Sequence, residues 1–386
     1  MNTVVGIICE YDPFHLGHKH QFKLIRARFP NAKIVCLMSG CFTQRGMLSL
    51  HTPAARAHAA LHGGADLVLE LPAAFALRDA ENFALGGVHI LSQLGFITHL
   101  CFGAEDDTDQ LLPAARLLEE PTSEFASLLK SELATGISFA AAQGNALAAC
   151  LPQCASLLNR PNNTLALCYL RALIRLKSTI VPFPVKRVGG YHDPSLMLDT
   201  FPSATAVRHA FLDGDTASVS SACGYKLPAS PICKPDALDP VLLYRLRSMT
   251  PEELSKLPLC TEGLENRLFS CARDAATREG LIAAIKTKRY THARLSRLCC
   301  HAMLSITSDF LADHPLPEYV RLLGFKKESA DLLSLFNESS IPVISKAANA
   351  DTTSSLFVLD THAYDLWALG ASLPAGLIFT QSVVIV

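Results

Sequence analysis

The sequence lacks long apolar runs, paired metal-binding cysteines and a large net charge, and each absence removes a class of function. No uninterrupted apolar run approaches the ~20 residues that a membrane-spanning helix needs. The thirteen cysteines occur singly, apart from Cys299 and Cys300, and no C-x-x-C pair suggests a zinc site or a thioredoxin-like motif. The formal net charge is −1, so any nucleic-acid surface must be a local patch.

The start of the sequence also lacks the basic and apolar segments of a secretory signal peptide. An odd number of cysteines in such a chain is typical of reduced thiols in a cytosol. We therefore expect a soluble cytoplasmic protein that does not contact a membrane. With 386 residues, of which 49% are hydrophobic, the chain can bury the cores of two or three domains.

The first 18 residues combine a strand, a turn and the start of a helix around two histidines. Residues 4–9 are an apolar run, Asp12 and Pro13 signal a turn, and an amphipathic helix is expected from about Gly17. Backbone N–H groups at such a helix start favour phosphate. His15 and His18 form the pattern H-x-G-H, and two imidazoles at this spacing can donate hydrogen bonds to one phosphate. Two surface histidines near a turn are the plainer alternative.

Strand and helix signals then alternate along the first half of the chain. Strands are predicted over residues 32–38, 66–71, 98–102 and 179–188, and helices over residues 52–63 and 79–94. This alternation is typical of an α/β fold with a doubly wound parallel sheet, which binds ligands at the carboxyl ends of its strands. The turn at His15, residues 39–46 and the loop at Gly103 all follow strands, so we expect them to surround one pocket.

A second anion site is predicted where a helix starts near Ser203. The hydroxyl groups of Ser203 and Thr205 lie at its N-terminus and Arg208 follows one turn later, which suits a phosphate group. An ordinary helix cap with a solvated arginine is the alternative. Residues 107–176 are predicted to be helices, and the proline-rich residues 212–240 predict a boundary. We expect a domain of residues 1–215 and a mostly helical domain of residues 216–386.

The densest positive run of the chain lies in this second domain, over residues 286–297, with Tyr290 inside it. Contact with RNA phosphates is the functional interpretation. A solvated helix face is the alternative, and it is the more common outcome for a single basic run.

Taken together, these segments resemble the tRNA(Met) cytidine acetate ligases, a bacterial family of the H-x-G-H nucleotidylyl-transferase superfamily. The resemblance rests on segments that occur in the family's order: residues 10–18, 38–40, 44–46, 64–72, 101–103, 161–163, 186–187 with 191–192, 203–205 and 286–291. Two residues depart from the family's pattern. Asp12 stands where the family usually has asparagine, and Cys41 stands where a polar residue is common.

The resemblance implies a Rossmann-like ATP-binding domain followed by a helical, tRNA-binding domain. It implies ATP as the cofactor, Mg²⁺ as a further candidate, and acetate and elongator tRNA(Met) as substrates, with acetyl-adenylate as intermediate and N4-acetylcytidine as product. His15 and His18 would be catalytic, and the pyrophosphate would meet Ser203, Thr205 and Arg208. The other residues implied in ATP binding are Ile8, Cys9, Glu10, Tyr11, Asp12, Pro13, Phe14, Leu16, Gly17, Lys19, His20, Gln21, Gly103, Asn162, Asn163, Lys186 and Arg187. The residues implied in tRNA binding are Lys286, Lys288, Arg289, Arg294 and Arg297.

Three other functions remain open from the sequence. A small-molecule adenylyltransferase has a similar core, but it would leave the basic helical half unexplained. A class I aminoacyl-tRNA synthetase is disfavoured because no K-M-S-K-S-like segment is found. A non-catalytic RNA-binding protein on this fold would not need both histidines, and both are present.

Overall fold

The computed structural model describes residues 3–154, 157–186, 201–229 and 231–386. Its strands are β1 Val4–Cys9, β2 Lys33–Ser39, β3 Leu67–Leu71, β4 His99–Ala104, β5 Val181–Lys186, β6 Val320–Phe325, β7 Val343–Ile344 and β8 Val384–Ile385. The helices of the first half are α1 Leu16–Arg28, α2 Pro53–Gly63, α3 Ala73–Ala76, α4 Ala80–Gln93, α5 Thr108–Glu119, α6 Ser123–Ala134, α7 Phe139–Cys150 and α8 Pro161–Arg175. The helices of the second half are α9 Ala204–Leu212, α10 Thr216–Cys223, α11 Asp239–Ser248, α12 Pro251–Ser255, α13 Leu264–Asp274, α14 Arg278–Ile285, α15 His292–Leu304, α16 Ser308–Asp313, α17 Asp331–Ser334, α18 Ser355–Gly370 and α19 Leu377–Thr380.

Within the described residues the strands form one sheet in the order β5-β4-β1-β2-β3-β6-β7, and β8 also pairs with β6. The strands β5, β4, β1, β2 and β3 are parallel, which confirms the predicted doubly wound sheet. Alternate side chains of β1 enter different cores, because Val5 and Ile7 pack on one face and Val4 and Ile8 on the other. Both faces are buried, so the strands are continuous apolar runs rather than alternating ones.

The end of the chain returns to this sheet. The observed arrangement therefore differs from the expected division into one domain of residues 1–215 and another of residues 216–386. Strand β6 pairs antiparallel with β3. Where β6 meets β3, Arg321 donates to the Glu70 carboxylate at 2.6 Å, and the Tyr364 hydroxyl of α18 donates to the same carboxylate at 2.9 Å. These three side chains are buried. The tail therefore extends the sheet of the first half, and it is helices α11–α15 that have a separate hydrophobic core.

Candidate active site

A cleft of about 310 Å³ lies at the carboxyl ends of β1, β4 and β5. Residues of all three predicted loops line it, including His15, Arg45 and Gly103. The start of α9 closes another side through Ser203 and Thr205. The expectation that these loops surround one pocket is thus confirmed. The topology explains why, because parallel strands deliver their carboxyl ends to the same edge of a sheet.

The two histidines are held by the start of α1. His15 is the N-cap residue, and its Nδ1 accepts a hydrogen bond from the Gly17 N–H at 3.1 Å. The His18 Nδ1 accepts in turn from the His15 N–H at 3.2 Å, and the two rings stack at 3.7 Å between centroids. A neutral imidazole whose Nδ1 accepts must carry its proton on Nε2. Both rings are therefore fixed in the tautomer that can donate from Nε2.

Gly17 is required by this arrangement. A Cβ atom at this position would lie 2.9 Å from His15 Cε1 and 3.0 Å from His15 Nδ1. Any larger residue would push the ring away from the backbone N–H that orients it. The glycine of the H-x-G-H pattern thus allows the His15 ring to fold back over the first turn of the helix.

Aromatic side chains pack against the turn between β1 and α1. Tyr11 is buried and packs against His18, with 4.7 Å between ring centroids, and against Phe14 at 5.1 Å. The Tyr225 hydroxyl donates to the Phe14 carbonyl at 3.1 Å, which ties the turn to the segment after α10. Phe14 therefore acts as packing beneath the histidines, and it does not line the cleft.

Asp12 connects the turn to the second predicted anion site. Its Oδ1 accepts from the Leu50 N–H at 2.8 Å, and the carboxylate lies 3.6 Å from the Arg208 guanidinium. Arg208 also donates to the Asp12 carbonyl and to the Thr205 hydroxyl. Ser203 caps α9 by accepting from the Ala206 N–H. The guanidinium and the N-terminus of α9 thus lie against the same cleft, beside the histidines.

The loop after β4 is fixed by the start of α8. Asn163 accepts from the Glu105 N–H at 3.0 Å and donates to the Asp106 carboxylate at 2.6 Å. Asn162 donates to the Glu105 carboxylate at 2.6 Å and lines the cleft, whereas Asn163 is fully buried behind it. Of the two asparagines, Asn162 is the one placed to touch a ligand, and Asn163 positions the loop that carries Gly103.

Most of the residues implied in ATP binding line this cleft, but not all do. Pro13, Phe14, Leu16, Lys19 and Asn163 are not among the described residues that line it. Arg187 lies outside the described residues. Contacts that the sequence did not identify come from Ile7, Leu24, Arg45, Cys101, Phe102, Leu165, Tyr169, Val185, Phe201, Pro202 and Ala204. Leu165 and Tyr169 follow Asn162 at helical spacing on α8. This spacing is the sequence feature from which their position in the cleft could have been predicted.

Cys41, the second departure, is buried against the core and is not among the described residues that line the cleft. Burial raises the pKa of its thiol well above the usual range, so it stays protonated. Glu10 does line the cleft, and burial raises the pKa of its carboxyl group as well.

The basic run divides into exposed and internal residues. Lys286, Lys288 and Arg289 are exposed. Arg294 donates to the Leu259 carbonyl at 2.9 Å and is only half-exposed. Arg297 is buried and donates to the Gln44 carbonyl at 3.1 Å. The prediction that Arg297 contacts RNA is therefore wrong, because its guanidinium holds the loop after β2 inside the protein.

Among the residues that the structure describes, no group of three or more His, Cys, Asp or Glu side chains is arranged to hold a metal ion. No helix in the same part of the chain is long and apolar enough to span a bilayer.

Comparison with known proteins gives consistent matches over almost the whole chain. Residues 1–375 match the family described as HIGH Nucleotidyl Transferase. The "tRNA(Met) cytidine acetate ligase" of Acetivibrio thermocellus is 34% identical over 416 residues, covering 99% of each chain. That of Halothermothrix orenii is 36% identical and covers 88% of this chain and 86% of its own.

Two crystal structures of Thermotoga maritima TmcAL are similar along the full length. The complex with alpha-thio ATP superposes with a TM-score of 0.87 at 27% identity, covering 100% of this chain and 99% of the other. The apo form gives a TM-score of 0.90 with the same identity and coverage. The similarity therefore includes both the sheet with its cleft and the helices of the second half.

Proposed function

The chain belongs to the family of tRNA(Met) cytidine acetate ligases, and we propose on this basis that it activates acetate with ATP and acetylates tRNA(Met). The first step gives acetyl-adenylate and pyrophosphate. The second step transfers the acetyl group to the exocyclic amine of the wobble cytidine in elongator tRNA(Met), giving N4-acetylcytidine. The observation that carries the proposal is the His15–His18 pair, which presents two oriented imidazoles in the cleft at the end of β1.

The first step requires alignment and charge stabilisation rather than a base. Acetate is ionised at neutral pH, so its carboxylate oxygen attacks the α-phosphorus directly. A new O–P bond forms, the bond to the β-phosphate breaks, and pyrophosphate leaves with the electron pair. Donors fixed before the reaction stabilise the charge that develops on the phosphate oxygens. We assign this role to Nε2 of His15 and of His18.

The orientation of ATP follows from the two sides of the cleft. Gly103, Asn162 and Lys186 lie on the side of β4 and β5, where we place the nucleoside. Ser203, Thr205 and Arg208 lie at the start of α9, where we place the pyrophosphate leaving group. Mg²⁺ bound mainly by phosphates needs few protein ligands. Its participation remains a prediction.

The second step brings an RNA base to the cleft. The wobble cytidine must leave its stack so that its amine can attack the carbonyl of acetyl-adenylate, with release of AMP and a proton. We assign the phosphate contacts of the anticodon arm to the exposed Lys286, Lys288 and Arg289. Arg294 and Arg297 are occupied by internal hydrogen bonds. Because its proposed substrate is a tRNA, we propose that the enzyme acts in the cytoplasm, which cell fractionation would test.

The first half of this proposal is tested by ATP–pyrophosphate exchange with purified protein. We expect exchange that depends on acetate and does not need tRNA. Exchange that depends on a different small acceptor would instead support a small-molecule adenylyltransferase. Binding of tRNA with no ATP turnover under any condition would leave the non-catalytic RNA-binding function.

A further inference from the structure

Arg45 lies at the tip of a tight turn that enters the cleft from the side of β2. The Gly46 N–H donates to the Thr43 carbonyl at 2.9 Å and closes the turn, while the Thr43 N–H donates to Met47 at 2.8 Å. The Arg45 side chain is exposed and lines the same cleft as the two histidines.

The outer side of this turn is bound to the helices of the second half. The Gly46 carbonyl accepts from the Arg278 guanidinium at 2.7 Å, from the Ser296 hydroxyl at 2.9 Å and from the Cys300 thiol at 3.2 Å. The neighbouring Gln44 carbonyl accepts from Arg297. One carbonyl with three buried donors is an anchored position, and breaking it would leave several polar groups unsatisfied.

The backbone itself is also in close contact there. Gly46 has a φ of +76°, and a Cβ atom on it would lie 2.4 Å from the backbone nitrogen of Arg297. Only glycine fits this approach of the turn to α15. On the inner side, the Glu10 carboxylate accepts from the Gln44 N–H at 2.6 Å. The backbone is therefore fixed immediately before and after Arg45, which sets the point from which its side chain enters the cleft.

The groups to which the nucleoside is assigned lie on other strands. Neighbouring strands of a sheet are about 4.8 Å apart, so the end of β2 lies roughly 10 Å from the end of β4 and on the far side of β1. Gly103 and Lys186 belong to β4 and β5. The reaction needs a second small anion besides ATP, and Arg45 is a cation that lines the cleft on the side away from these nucleoside groups.

We propose that Arg45 binds the carboxylate of acetate and aligns it for attack on the α-phosphorus. The inference rests on the proposed function and adds the residue that recognises the acyl substrate. A guanidinium matches a carboxylate with two parallel N–H···O bonds, which hold the group in one plane. The carboxylate oxygen that forms the new O–P bond gives up its contact with Arg45 as acetyl-adenylate forms. No proton is transferred in this step.

The test compares Arg45→Gln and Arg45→Lys with the matched control Arg116→Gln, a substitution of an exposed arginine on α5. Acetyl-adenylate formation is measured without tRNA over a range of acetate concentrations, and ATP binding is measured by calorimetry. We expect Arg45→Gln to raise the KM for acetate at least about tenfold, as loss of a charge-assisted contact does. The Kd for ATP should stay within about threefold, and Arg45→Lys should be intermediate.

A chemical rescue separates recognition from folding. Millimolar guanidinium added to Arg45→Ala should restore part of the activity at low acetate, and it should not affect Arg116→Gln. An unchanged KM for acetate with a raised KM for tRNA would overturn the proposal and assign Arg45 to the RNA. A weakened ATP complex with an unchanged KM for acetate would overturn it in favour of a phosphate contact. Wild-type protein that turns over ATP without any dependence on acetate would refute the proposed function itself, before any variant is compared.

Discussion

Asp12→Asn should make the protein bind ATP more tightly. The Asp12 carboxylate lies 3.6 Å from the Arg208 guanidinium. It would therefore compete for this guanidinium with the phosphates that we propose Arg208 binds. Asparagine keeps an oxygen that can accept from the Leu50 N–H, as Asp12 does at 2.8 Å, so the turn is preserved. Arg208 also stays in place, because it donates to the Asp12 backbone carbonyl and to the Thr205 hydroxyl. The substitution therefore removes the negative charge and keeps the hydrogen bonds that hold the turn and Arg208 in place.

The size of the effect follows from the distance between the charges. Two unit charges this close attract by about 5 kcal/mol at an effective dielectric constant of about 20, and by about 1 kcal/mol in water. Since the Arg208 side chain is 27% exposed, the lower part of this range applies. We expect a gain of about 1–2 kcal/mol, which is a Kd for ATP lower by about 5- to 30-fold.

Calorimetry with a non-hydrolysable ATP analogue, without acetate or tRNA, measures this change. Asp274→Asn, at an exposed position on α13, is the matched control and should leave the Kd unchanged. The gain should shrink in high salt, because mobile ions screen the same charges. Equal or weaker binding by Asp12→Asn would refute the reasoning, since it would mean that the carboxylate orients Arg208 for ATP rather than competing with it.

Three further predictions concern His18, the exposed basic residues of the second half and the buried carboxyl group of Asp360. His18→Ala should slow acetyl-adenylate formation by roughly two to three orders of magnitude, because the variant loses a donor to the transition state. Rapid-quench kinetics would measure this rate. Near wild-type turnover would exclude His18 from catalysis. Replacing Lys286, Lys288 and Arg289 together with alanine should lower the slope of log Kd for tRNA against log salt by about 2–3 if each contacts a phosphate, and an unchanged slope would place the RNA elsewhere. Asp360, on α18, is buried and accepts hydrogen bonds from the Ala73 N–H and the Tyr319 hydroxyl. Burial raises the pKa of its carboxyl group to about 7. The folded state therefore holds a proton that the unfolded state has lost, and the unfolding free energy should fall as pH rises from about 4 to 7, by up to about 1.4 kcal/mol per pH unit. Urea titrations of Asp360→Asn should lack this part of the slope, and identical pH profiles for wild type and variant would show that Asp360 does not titrate in this window.

The parts of the fold that depend on local patterns were predictable from the sequence. The strand before Asp12, the cap at Thr52 and the parallel strands lie where the patterns place them, within two residues at their ends. Each of these features depends on residues that are close in the chain, such as an apolar run or a helix cap. The arrangement of the three loops around one cleft then follows from the topology of a parallel sheet.

The contacts that join distant segments were not predictable in this way. Pairing of β6 with β3 brings together residues more than 240 positions apart, and no local pattern encodes it. Arg297 seemed to belong to a solvated basic face, yet almost every residue of α15 from Leu295 onwards is buried, since the helix is packed on two sides. Asn163 was indistinguishable from Asn162 in the sequence, and only the loop after β4 separates their roles.

The most direct test of the account is to incubate the purified protein with ATP, labelled acetate and tRNA from a strain that lacks the modification. The RNA is then digested to nucleosides and analysed by mass spectrometry. We expect label in N4-acetylcytidine at the wobble position of elongator tRNA(Met), and no label when ATP is omitted or when His15 and His18 are both replaced. Unlabelled tRNA in the presence of ATP-consuming enzyme would contradict it.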